Sequence, residues 1–104
     1  MRTVVRVILD VQAGNAAVKN GTLSKLVENA MDSLKPEAAY FFADHGKRSM
    51  FMVFDLKDQA DIPAIAEPFF METNASVEFY PCMNAEDLKK GLDKTATARE
   101  FVGA

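Results

Sequence analysis

Apolar and polar positions alternate at the start of the chain. Over residues 3–11, Val5, Val7, Leu9 and Val11 share one face, and Val4, Arg6, Ile8 and Asp10 share the other. Alternation among β-branched residues predicts a strand, because successive side chains of a strand point to opposite sides. The period then changes. Leu23, Leu26, Val27, Ala30, Met31 and Leu34 form one stripe of an amphipathic helix. That helix stops before Pro36, which pushes the preceding residue out of the α region. Two starts compete for it: Asn15 caps a helix running through Gly21, or the entry is Asn20-Gly21-Thr22 with Thr22 as cap. Residues 38–43 and 49–56 return to strand character. The turn Asp44-His45-Gly46-Lys47 joins them, its glycine supplying the positive φ of a tight hairpin. Ile62, Ile65, Ala66, Phe69 and Phe70 then draw a second helical stripe. Asp61 is its expected cap, and Pro63 falls in the tolerant first turn. Pro68 lies deeper and removes a backbone hydrogen bond, so a kink or a short helix is expected there. Residues 75–82 read as a fourth strand. Asn84, with Glu86 and Asp87 behind it, opens a last helix whose strong apolar positions are Leu88 and Leu92.

The order is βαββαβ with a C-terminal helix, the α+β ferredoxin-like pattern with an antiparallel sheet. It fits one domain over residues 1–104, with a core at 3–92 and a tail at 93–104 in which Phe101 and Val102 are candidate anchors. Right-handed crossovers put both main helices on one sheet face and strands one and three at its centre. The opposite face then carries Val4, Arg6 and Ile8 from strand one, and Ser76, Glu78, Tyr80 and Cys82 from strand four. Strand three adds Met50, Met52 and Phe54, provided that Phe51 and Val53 face the helices. A face this apolar is too large to leave in water, and packing it on a second copy predicts an isologous homodimer.

Composition narrows the partners. The net charge is −3, and the twelve Lys and Arg residues are scattered along the chain. Nucleic acid and anionic membrane surfaces need clustered cations, so neither is expected. No run approaches the roughly 20 apolar residues of a membrane span, and Arg6 and Asp10 break any signal-peptide core at the N-terminus. A single cysteine, Cys82, excludes an internal disulfide and points to the cytoplasm.

The whole chain resembles the dimeric α/β-barrel superfamily, which includes muconolactone isomerase and antibiotic-biosynthesis monooxygenases. The segments Ile-Pro-Ala-Ile-Ala-Glu-Pro-Phe-Phe (62–70) and Val-Glu-Phe-Tyr-Pro-Cys-Met-Asn-Ala-Glu-Asp-Leu (77–88) are similar to one of its bacterial families of unknown function. The resemblance implies a homodimer with a shared barrel and brings no catalytic residue with it. Enzymes of that superfamily place small organic substrates between sheet and helices or within the barrel. The absence of Trp and the turn position of the only His, His45, fit its haem-binding branches poorly.

Arg6 and Glu78 are expected side by side on adjacent strands, near Tyr80 and Met52. As a ligand site, Arg6 holds a carboxylate or enolate, while Glu78 or Tyr80 moves protons. As structure, the same pair neutralises itself or sets dimer register. His45 is of a residue type that serves as acid or base, but it sits in a turn, where solvated histidines are ordinary. Met50, Met52, Cys82 and Met83 are packing material before they are soft metal ligands, so neither a metal nor a cofactor is expected. Cys82 reads as a structural thiol, since a nucleophile there would need activation by the start of the last helix. Three classes of function follow: a module binding a small organic molecule or partner without catalysis, a cofactor-free monooxygenase or isomerase acting on a small carbonyl or phenolic compound, and a structural dimer.

Overall fold

The computed structural model describes residues 1–103, with side chains through residue 95. It is an α+β fold whose four-stranded antiparallel sheet has the order β2-β3-β1-β4, built from β1 (Arg2–Ile8), β2 (Ala38–Asp44), β3 (Lys47–Asp55) and β4 (Ser76–Pro81). The central places of β1 and β3 are those expected, and the arrangement is compatible with a ferredoxin-like fold. The helices are α1 (Val11–Asn20), α2 (Thr22–Leu34), α3 (Ile62–Thr73) and α4 (Ala85–Gly103).

Strand one ends earlier than its alternation suggests. Asp10 turns out of the sheet and accepts a hydrogen bond from Ala13 N at 2.9 Å, capping a helix where residue 11 was expected to extend the strand. Of the two expected starts, the entry at Asn20-Gly21-Thr22 holds, with α2 beginning at Thr22, and the helix capped by Asn15 and running through Gly21 does not form. Gly21, at φ 81°, closes α1 through its N–H to Val18 O and opens α2 directly. Thr22 is not a cap; its N–H is held instead by Asn20 Oδ1 at 2.9 Å. A left-handed glycine lets the chain change direction at almost no steric cost, so two short helices stand where one stripe was visible.

The hairpin forms as expected. His45 and Gly46 both have positive φ, 52° and 79°, the two-residue turn whose twist matches its strands. Asp61 occupies the start of α3 without a side-chain cap. A 3-10 turn, Gln59–Asp61, precedes it, and Asp58 Oδ1 accepts from Ala60 N there at 2.9 Å. Pro68 does not shorten α3, which continues to Thr73. The carbonyl that Pro68 leaves without its usual helical partner belongs to Ala64, an exposed residue. Asn84 and Asp87 cap α4 reciprocally: Asp87 N donates to Asn84 Oδ1 at 2.8 Å and Asn84 N to Asp87 Oδ2 at 3.2 Å. The segment read as a tail continues this helix to Gly103. The anchoring role of Phe101 and Val102 lies outside the residues whose side chains are described.

The core lies between the sheet and the layer formed by α1, α2 and α3. Val5, Val7 and Leu9 meet Met50, Met52, Phe54 and Phe69 there, all nearly closed to solvent. This corrects the orientation of β3. Val5 lies opposite Met52 and Val7 opposite Met50, so the strand turns Met50, Met52 and Phe54 toward the helices. Phe51 and Val53 take the other face. Strands β1 and β4 point as expected, with Val77 and Phe79 packed on the core.

Candidate functional site

The sheet face away from the helices is an aromatic surface holding two polar pairs. Phe51 lies between Tyr40 and Phe42 of β2, with ring centroids 5.5 and 6.1 Å away and the second contact edge-on. Tyr40, Phe42 and Tyr80 are 59%, 42% and 48% exposed, so nothing among the described residues covers this face.

Arg6 and Glu78 are directly opposed across β1 and β4, on the same face as foreseen. Their polar ends nevertheless engage other groups. Arg6 Nη2 lies against Asp44 Oδ2, reaching across the sheet to the last residue of β2. That oxygen is closed to solvent, and the Arg6 charge compensates it. The other carboxylate oxygen of Asp44 contacts His45 Nδ1 at 2.6 Å. Glu78 Oε2 accepts the hydrogen bond of Tyr80 OH. That bond stabilises the neutral phenol and, with partial desolvation and the nearby carboxylate charge, raises Tyr80 above the ordinary phenol range; Arg6 opposes the shift weakly.

Met52 is absent from this group. It is wholly buried on the helix side, with the sheet between it and Arg6. The expected set of Arg6, Met52, Glu78 and Tyr80 is therefore split: three residues share the open face and the fourth belongs to the core. Asp44 joins the three and was not foreseen. A walk back from the two-residue turn in steps of two puts Asp44, Phe42 and Tyr40 on one side, which was the available signal.

A second feature lies on the opposite side. A cavity of about 610 Å3 opens between α2 and α3, within the size range of small-molecule sites. Its floor is Phe54 and Leu56, and its walls include Leu26 and Leu34 from α2 and Ile65 and Phe69 from α3. Ala30 and Ala64 face it from the two helices, and their small side chains leave the gap that longer residues would fill. Exposed polar residues ring its mouth: Asn29, Ser33, Lys35, Asp55, Lys57 and Asp61. Asp55 is held by the amino group of Met1, 2.7 Å from its Oδ1, and this hydrogen-bonded ion pair lowers its pKa. No element of the sequence pattern announced this cleft, because helical stripes show which residues turn inward and not how far two helices stand apart.

Arg2 ties the end of the sheet to α4. It donates to Glu37 at 2.5 Å and to Asp87 at 3.0 Å, and the two carboxylates raise its pKa, Glu37 more strongly. Leu88 and Leu92 remain 47% and 59% exposed, so their stripe does not pack on the body of the chain. Among the described residues, no group of three or more His, Cys, Asp or Glu side chains is placed to hold a metal ion, and no helix is long and apolar enough to cross a membrane. Neither the known protein-family models nor the curated proteins contain a match to this chain.

Proposed function

We propose that this protein is a homodimeric module of the dimeric α/β-barrel type that binds a small, mainly apolar organic molecule in the α2–α3 cleft and does not transform it. The observation that carries this reading is the cleft itself: about 610 Å3, floored by buried apolar side chains, with its polar groups at the mouth. The open sheet face supports the dimer. Its aromatic rings and the half-buried Val4, Ile8 and Val53 around them suit burial against the same face of a second copy, which forms the barrel. The polar groups on that face favour binding over catalysis. Asp44 occupies Arg6, Tyr80 occupies Glu78, and a phenol with a raised pKa is a weaker acid. An oxygenase or isomerase using Arg6, Glu78 and Tyr80 needs its substrate on this face, across the sheet from the cleft.

Native mass spectrometry of gently purified protein tests both parts together. The expected result is a dimer carrying extra mass, which the substitution Ala64→Trp removes by filling the cleft mouth. A monomer at micromolar concentration overturns the dimer, and retained mass that survives Ala64→Trp overturns the cleft as its site.

A further inference from the structure

The cleft mouth carries a charge pattern that selects among apolar molecules. Lys35 ends α2 in a left-handed conformation at φ 45°, and Lys57 follows Leu56 beyond the end of β3. Both line the cleft and both are exposed, and neither makes an ion pair among the described residues. Of the two acidic groups at the same mouth, Asp55 is already compensated by the amino group of Met1. Asp61 sits at the start of α3, where the positive end of the helix offsets part of its charge. Two lysines therefore line the mouth above a floor made of Phe54 and Leu56, with Lys57 acting on Asp55 less strongly than the amino group of Met1 does.

Resting on the cleft as the ligand site, we propose that its ligand class is the carboxylate with an apolar body: the body fills the space between α2 and α3, and the carboxylate lies at the mouth between Lys35 and Lys57. An apolar body gains by leaving water for the floor. A carboxylate gains two charge-assisted contacts without being desolvated, because both lysines are at the surface. A cationic head meets like charge at the same place, and an uncharged head gains neither contact.

Three probes of equal length separate the possibilities: decanoate, decanol and decylamine, each titrated into the intact protein below its micelle concentration. Decanoate is expected to bind roughly two- to thirty-fold tighter than decanol at low salt, the range for two exposed ion pairs. The advantage shrinks as salt screens it. The double substitution Lys35→Met and Lys57→Met is expected to bring decanoate down to decanol and leave decanol unchanged. Both lysines are exposed, so the variant keeps its core, and unchanged decanol binding confirms an intact cleft. Decanol equal to decanoate, decylamine the tightest, or a decanoate preference that persists in the double variant each overturns the ligand class while leaving the cleft as a binding site. Failure of all three probes, or a change of subunit number in Ala64→Trp without loss of binding, overturns the cleft reading beneath it.

Discussion

The two faces of the sheet are built from similar residues and are treated differently by the fold. Toward the helices, Val5, Val7, Met50, Met52 and Phe54 are nearly closed to solvent. Toward the other side, Tyr40, Phe42 and Tyr80 are about half exposed, and the charged groups among them are paired within the chain. Composition alone does not separate the faces, since Phe51 is as apolar as Phe54. Cover separates them: three helices lie over one face and, among the described residues, nothing lies over the other. The covered face accounts for the stability of a single chain, and the open one is available for association.

The largest expected effect comes from truncating the covered face. Met52→Ala removes a side chain with no solvent exposure, and a loss of about 2–5 kcal/mol is expected in urea unfolding. Phe51→Thr, one residue away on the open face, is expected to weaken the proposed dimer more than about five-fold in sedimentation or light scattering, if this face is the subunit contact. It is expected to change single-chain unfolding far less than Met52→Ala. Equal unfolding losses for the two substitutions break the comparison, because both faces would then be stabilising one chain.

Asp10→Ala acts on the helix layer alone. It deletes the acceptor of Ala13 N and is expected to cost about 1 kcal/mol without altering subunit number. A changed dimer constant would place α1 in the subunit contact.

The smallest effect is expected at Glu78. Glu78→Gln removes the carboxylate that holds Tyr80 OH, so the phenol is expected to ionise nearer its ordinary range when phenolate absorbance is followed with pH. Because the shift is upward, the link is intact below the ordinary tyrosine pKa, about 10, and is lost as pH rises through the higher folded value. An unchanged titration shows that Glu78 and Tyr80 are separated in solution, which reopens Glu78 as a free carboxylate on the open face.

How far each face was legible follows from local pattern. Alternation in β1 separates Arg6 from Val5 and Val7, and the chain places them accordingly. The same reasoning fails in β3, where Met50 through Phe54 is an uninterrupted apolar run. With no polar residue to mark the outer side, either face serves, and the orientation comes from pairing with β1: Val5 opposite Met52, Val7 opposite Met50. A slip of one residue inverts the strand. The error in β3 carried Met52 into the expected site. Arg6 and Glu78 were correctly expected to be neighbours, yet Arg6 engages Asp44, which reaches it only through the register of β2 on β3.

By itself the sequence determined the order of the four strands with α2, α3 and α4, the hairpin at His45 and Gly46, the inward stripes of α2 and α3, and the faces of β1 and β4. Each of these rests on periodicity or backbone preference within a few residues. The tertiary structure decided the face of β3, the partner of Arg6 and the space between α2 and α3. Those depend on distances between segments far apart in the chain, which no local period encodes.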